Sequence, residues 1–470
     1  MRVLIRLIGT IFIVQSAHAT TLSVNPNGVY KTLSSVQGLV DDGDTILIEA
    51  ATYINHPQVY LGQNNLVIKG VNGRPRLEAG ANLAAKSNGK AILVLGGSNC
   101  LVENIEFANA RVPDRNGAGI RQEGCPLSIR YCTFIGNEMG ILGGNYSQCN
   151  VTIEHSVFTG NGSPSNPGFQ HNVYINHIDT LFFQYNFTAD AIAEGHELKS
   201  RAHVNIIRYN YLASLNSVDS RNIDLPNGGT AIILGNIIEQ GENSANSNLL
   251  GYGLEGLSNN KPHNIWVVNN TFVNKKIKGS FIQVHTDTDT LLVKNNVLIG
   301  AKTGGLLLGS PIWLDSSNNF ISDDPSNAYL KDVLNFDYRP TNTSPCIDNG
   351  VEVNNKPLGF SLIPTQQYVD TAKFDSRVVS GVMDVGAYEL LKSAAIEYSM
   401  IKRRTIYPNP CSGQLLYVDS TEPLAYVIFD LFGRSIQEGT SWNKHIDISE
   451  LPVGSYVVKL SNSQEILIRL

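Results

Sequence analysis

Between Phe169 and His285 this 470-residue chain concentrates the side chains that can do chemistry. The segments are HNVYIN (His171–Asn176), EGHELKSRAH (Glu194–His203), RNIDLPNGG (Arg221–Gly229) and FIQVH (Phe281–His285). Elsewhere the equivalent positions are mostly Asn, Ser, Thr and Gly. Two carboxylates held one strand spacing apart must share a proton, bind a cation or be balanced by a base. Glu197 and Asp224 are such a pair, and Lys199 is such a base. With Glu194 they offer the oxygen ligands that calcium prefers. A second chemistry fits the same set. Abstracting a proton beside a carboxylate needs an unprotonated base and a group that neutralises the developing charge. Lys199 is the candidate base, because the positive charge of nearby Arg201 favours its neutral form. Arg201, Arg208 and Arg221 are candidate carboxylate binders. His171 and Tyr174 are placed to flank a ligand, with Asn176, Asn227 and His285 as further contacts.

Strand alternation assigns faces to these residues. With Ile175, Leu198, Leu225 and Val284 inward, one outward column is Tyr174, Glu197, Asp224 and Gln283. The next is Asn176, Lys199, Pro226 and His285. A one-residue slip would invert every face. The bland alternative is a charged ladder that only solvates a flank. His196, on the Leu198 face, reads as a packed histidine rather than a catalyst.

What brings remote segments together is a repeat. Segments ending in an anchor recur at Phe107, Phe134, Phe158, Phe187, Tyr211, Ile238, Phe272, Leu298 and Phe320, spaced 27, 24, 29, 24, 27, 34, 26 and 22 residues apart. Each unit is strand, turn, strand, too short for a unit containing a crossover helix. Such a unit fits one coil of a parallel β-helix, which buries its apolar face only against its neighbours. Asn186, Asn210, Asn236, Asn270, Asn296 and Asn319 recur just before the anchor and predict an asparagine ladder. Cys100, Cys125 and Cys149 recur at similar spacing and predict an inward stack, with an inter-coil disulfide left open. Tyr30–Val40 predicts a short helix covering the first coil, because an open end exposes unpaired strand edges.

Composition agrees with an all-β chain. Charged residues are 16%, and the 42 glycines are weak helix formers. The net charge of −6 excludes a basic nucleic-acid binder as the leading reading. Residues 1–19 have the basic start, apolar core and Ala-His-Ala site of a signal peptide. No CxxC or CxxH pair suggests zinc. Residues 20–390 form the repeat body, 391–405 a polar linker, and 406–470 a small Ig-like β-sandwich of short alternating strands. In that tail YPNP, IFDLFGRSI, IDISELPVGSYVVKL and the terminal strand resemble the type A sorting domain of the Bacteroidetes type IX secretion system. The resemblance implies a partner in the export machinery and a secreted or cell-surface location.

In the body, DYRPTNTSPCIDNG (Asp337–Gly350) and MDVGAYE (Met383–Glu389) resemble the closing segment of right-handed β-helix proteins of the pectate-lyase-like superfamily. The stretch GHELKSRAHVNIIRYNYL, followed by IDLPNGGTAIILGNII, resembles the catalytic segment of the chondroitinase B and alginate lyase family. Lys199-Ser200 matches that family's Lys-Ser pair, Glu194 one calcium-binding glutamate, and Gly235-Asn236 a later Gly-Asn. Pro226 stands where the family has Arg, and Ile192 where it has a second Glu. The resemblance implies a right-handed parallel β-helix, acting as a monomer on an acidic, uronate-containing polysaccharide by β-elimination, with calcium as its cofactor. Two alternatives stay open. A glycoside hydrolase or epimerase would use Glu197 with Asp224 or Asp219 as its carboxyl pair. A non-catalytic glycan binder or adhesin would use the long flat face alone.

Overall fold

A computed structural model describes residues 19–80, 90–300, 304–390, 406–407, 411–418, 423–430, 434–441, 444–460 and 463–469. Residues 1–18 of the expected signal peptide and the whole expected linker, 391–405, lie outside them. The chain divides into two compact units, Met1–Leu391 and Lys392–Leu470.

The first unit winds as the repeat predicts. Each coil contributes one strand to each of three parallel sheets, as in Val173–Ile175, Ile178–Gln184 and Phe187–Ala189. Among the described residues the first sheet holds twelve strands, from Thr21–Val24 to Trp313–Ser317. The second holds eleven, from Thr52–His56 to Phe320–Ser322, and the third ten, from Val59–Leu61 to Leu307–Leu308. Strands alternate because one face of every sheet lines the interior. Val102, Ile129 and Ile153 are direct partners in neighbouring coils and all are fully buried. The anchors stack likewise, with the Phe107 and Phe134 rings 5.3 Å apart and those of Phe134 and Phe158 4.7 Å apart.

The asparagine ladder runs from Asn186 to Asn319 at the corner between the first and second sheets. Oδ1 of Asn210 accepts from the Asn186 backbone N at 2.9 Å and from its Nδ2 at 3.1 Å. Asn236, Asn270, Asn296 and Asn319 repeat the pattern. Each Nδ2 also donates to a carbonyl of the preceding coil, as Asn210 does to Phe183 O at 2.9 Å. A sharp corner strips backbone groups of sheet partners, and the side-chain amide replaces them.

Two expectations need correction. Cys125 and Cys149 are disulfide-linked, but Cys100 is not in their column. It pairs with Leu127, two residues beyond Cys125, and stays a buried free thiol. At the start, Tyr30–Val40 forms no α-helix, only a 3₁₀ turn at Leu33–Ser35. The Ser35 hydroxyl competes for the backbone there, accepting from the Thr32 amide and donating to the Thr32 carbonyl. Leu33, Val36 and Val40 still cover the first coil as intended.

Among its described residues the second unit has two antiparallel sheets. Ile406–Tyr407, Leu415–Val418 and His445–Asp447 form one, and four strands between Leu424 and Arg469 the other. Leu416, Ile428, Ile446 and Val458 fill its core.

Candidate functional site

The chemistry-bearing residues gather on the outer face of the third sheet, across the coils of Val173–Ile175, Leu198–Ser200, Ile223–Leu225 and Asn248–Tyr252. Tyr174, Lys199, Asp224, Gly251 and Gln283 are successive partners in one column. The sequence reading placed Tyr174, Asp224 and Gln283 together correctly, but it put Glu197 where Lys199 stands. The slip is of two residues, so Leu198 keeps its inward face and Lys199 its outward one. Glu197 instead occupies the corner before its strand and turns into the interior, fully buried. It accepts from Asn172 Nδ2 at 2.5 Å, Thr188 Oγ1 at 2.6 Å and the Ala191 amide at 2.7 Å. There it continues a second ladder from Asn137, Asn161 and Asn172, at the corner between the second and third sheets. Burial, and then the carboxyl of Asp219, raise its pKa well above the ordinary value. Asp219 is also interior, hydrogen-bonded to Ser214 and Ser244. Neither Glu197–Asp224 nor Glu197–Asp219 is therefore an exposed carboxyl pair.

A second outward column lies beside the first. His171, His196, Arg221 and Asn248 each stand two residues before the inward anchor of their strand. His171 Nδ1 accepts from the His196 amide at 3.0 Å, and His196 Nδ1 from the Arg221 amide at 3.1 Å. The two rings stack at 5.0 Å, with Tyr174 5.8 Å from His171. Burial first, then the neighbouring positive charges, drive both histidines well below their ordinary pKa. They are neutral imidazoles, and with Nδ1 accepting, His196 turns its Nε2–H toward Asp224 at 3.5 Å. Gly251 makes room here, because a Cβ on it would meet the Arg221 side chain at 2.8 Å.

Asp224, its side chain only 3% exposed, is the hub. Lys199 Nζ lies 3.2 Å from Oδ2 and Arg221 Nη1 3.4 Å from Oδ1. Arg201 follows Lys199 past the strand end. Its Nε donates to Tyr174 Oη at 3.2 Å and its Nη1 to Asn227 Oδ1 at 2.7 Å.

The residue that sequence reasoning missed is Glu255. It comes from the excursion between Tyr252 and Asn264, and its Oε1 and Oε2 accept from Lys199 Nζ and Arg201 Nη2, both at 2.6 Å. Partial burial opposes its ionisation, but the bonds from Lys199 and then Arg201 hold its carboxyl at about 2. The same contacts raise Arg201 against its own burial. The excursion docks on the turn after Leu225. Glu255 N donates to Pro226 O at 3.0 Å, and Asn259 Nδ2 to Gly228 O at 2.9 Å. Gly228 has φ +70°, and a Cβ there would press on Leu257 and His263. The signal was the 34-residue spacing from Ile238 to Phe272, the longest in the repeat.

Other candidates lie elsewhere. Arg208 ends a strand of the first sheet, where it donates to Gln184 and packs over Phe360, away from this face. Asn176 follows Ile175 and caps His177, beside the backbone of Arg201. His285 ends the coil beyond Gly253 and takes the Asp287 amide at 3.1 Å. Glu194 is exposed on a turn whose amide bonds Val218 O. The three carboxylates offered for calcium are not brought together. Asp224 faces three nitrogen donors, and Glu197 is saturated by three hydrogen bonds inside the wall. Among the described residues no group of three or more His, Cys, Asp or Glu is arranged to hold a metal. This donor set does not fit calcium.

Residues 405–469 match a family model described as the secretion system C-terminal sorting domain. No curated protein matches the chain. Among solved structures, pectate lyase Pel9A superposes with a TM-score of 0.50 at 13% identity, over 79% of this chain and 96% of that one. The likeness shows a shared fold. A PL6 alginate lyase and pectin methylesterase PemA from Erwinia chrysanthemi align more loosely, with TM-scores of 0.30 and 0.31 at 11% and 10% identity. The first alignment covers 64% of this chain and 86% of the lyase, the second 69% and 98% of the esterase.

Proposed function

We propose that this is an exported protein whose β-helix engages an acidic, uronate-containing polysaccharide on the outer face of the third sheet and cleaves it by β-elimination. The similarity of the tail to sorting domains supports export to the cell surface or beyond. The observation that carries the rest is the clamp of Lys199 and Arg201 on Glu255. Two cations on neighbouring positions hold one carboxylate in a charge-assisted pair, as they would hold a uronate.

The substrate carboxylate displaces Glu255 and pairs with Arg201, which stabilises the charge that develops when the C5 proton leaves. Tyr174 offers a ring face to the sugar, and Asn227 orients Arg201. Lys199 stands between the carboxylates of Asp224 and Glu255. Lys199 acts in its amine form, at the position from which Glu255 has left. The amine then accepts the C5 proton, the bond to the C4 oxygen breaks, and that oxygen takes a proton from solvent water.

A second reading has one observation in its favour. Lys199, Arg201 and Arg221 are all paired, which suits a binding-only face as well. Incubation of the full chain with alginate, pectate and glycosaminoglycans separates the two. Elimination gives the ultraviolet absorbance of an unsaturated uronate. Retardation in a glycan-containing gel without that absorbance replaces the lyase with a binder, and neither effect removes the whole reading.

A further inference from the structure

A cavity lies on a different wall of the same unit. It has a volume of about 700 Å³, within the range of small-ligand sites. The outer face of the second sheet forms one side, through Phe187, Tyr211 and Leu215, and the closing segments form the other, through Phe336, Tyr368 and Tyr388. None of these residues belongs to the Lys199 face.

Its floor is rigid. Tyr211 packs edge-on against Phe187 at 5.6 Å and Tyr368 at 5.7 Å. Tyr211 and Tyr338 both donate their hydroxyls to Glu239 Oε2 at 2.6 Å, and Lys275 pairs with Oε1 at 2.5 Å. This buried network fixes the aromatic rings before any ligand arrives. Lys275 also sits 4.5 Å over the ring of Phe336, which holds that exposed side chain at the mouth.

The rim carries the opposite charge from the Lys199 face. Asp332, Asp337, Asp370 and Asp375 line it against one guanidinium, Arg339. Arg339 is already paired with Asp337 through Nε at 2.7 Å. The Asp375 side chain takes no hydrogen bond from the described residues, although its backbone pairs with Gln367. Like charge on a lining repels a polyanion. Aromatic faces beside carboxylates instead suit a ligand with apolar C–H faces and hydroxyl or ammonium donors.

From this geometry we infer that the cavity binds an oligosaccharide segment free of carboxylates, neutral or amino-bearing. The site stands whether or not the Lys199 face cleaves a uronate. Its test is calorimetric titration of the full chain with three hexasaccharide probes: a neutral cello-oligosaccharide, a chitosan oligomer and an oligogalacturonate. The inference expects heat from the first or second, weakened at least tenfold by Phe336→Ala and by Asp375→Asn, and unchanged by Arg201→Ala. If the chitosan oligomer alone binds, the ligand is the amino sugar; if the cello-oligosaccharide binds, it is the neutral one. Phe336→Ala and Asp375→Asn alter exposed positions, so a matching melting temperature excludes unfolding. No binding of either carboxylate-free probe, or binding insensitive to both substitutions, overturns it.

Discussion

Glu255 and Lys199 are 56 residues apart in sequence, yet Oε1 and Nζ stand 2.6 Å apart. Glu255 is still nearly half exposed, at 45% of its side chain. It covers cations that are themselves only 11% and 19% exposed, so an incoming carboxylate must displace it.

Replacing Glu255 with Gln removes that competitor. Affinity for an oligouronide should rise several-fold, about 1 kcal/mol, read by titration calorimetry. The cost in stability should be small, about 0.5–1 kcal/mol, because the pair is solvent-screened. The sign with pH follows from the depressed carboxyl. Its contribution is complete above the ordinary value of 4.5 and is lost as pH falls toward about 2. Unchanged or weaker uronide binding by Glu255→Gln would show that Glu255 builds the site rather than filling it.

Lys199 and Arg201 should separate chemistry from binding. Lys199→Met should lower elimination at least a hundredfold while leaving uronide affinity within a few-fold. Arg201→Ala should weaken affinity tenfold or more, because it removes the donors that face the carboxylate. Progress curves and titrations on the two variants give both quantities. Elimination surviving in Lys199→Met would take the proton-transfer role from Lys199.

The sequence made the scaffold legible because stacking repeats its signal. The anchors, the six ladder asparagines and the shared column of Tyr174, Asp224 and Gln283 all follow from one period. The site was less legible because its strands are short. Leu198–Ser200 has three residues, so the corner before it decides whether Glu197 faces out, and alternation says nothing about a corner. Cys100 slipped by the same two residues for the same reason. Glu255 could not be placed by period at all, since it belongs to an excursion that breaks the period. His196 read as packed, and it is buried, but its Nε2 also faces Asp224.

The asparagine ladder should behave as a structural beam. Asn236 Oδ1 accepts from the Asn210 amide and from Asn210 Nδ2, both at 2.9 Å, and its own Nδ2 donates to Ile207 O at 2.9 Å. Asn236→Ala therefore orphans a buried backbone N–H and a buried carbonyl, together about 3 kcal/mol or more. Urea unfolding of the variant gives the loss. A loss below about 1 kcal/mol would mean the corner finds other partners, by relaxing or by admitting water.

The interior carboxyls Glu197 and Asp219 give the fold a pH dependence opposite to that of Glu255. Burial raises Asp219 from 3.8 to about 7, against the hydrogen bonds of Ser244 and Ser214, and burial with Asp219 raises Glu197. Between about 4 and 7 the folded chain thus holds protons that the unfolded chain has released. Stability from this pair is complete below the unfolded values and declines as pH rises through that window. Asp219→Asn should flatten the decline by roughly 1–3 kcal/mol across it, because an amide cannot lose the proton. Glu197→Gln should flatten it further while keeping the shape that fills the corner. Urea unfolding at several pH values between 4 and 8 measures the slope. A wild-type slope equal to that of the Asp219→Asn, Glu197→Gln double variant would show that the pair is ionised in the folded chain. In that case Asn172, Thr188 and the Ala191 amide, not a retained proton, compensate the buried charge of Glu197.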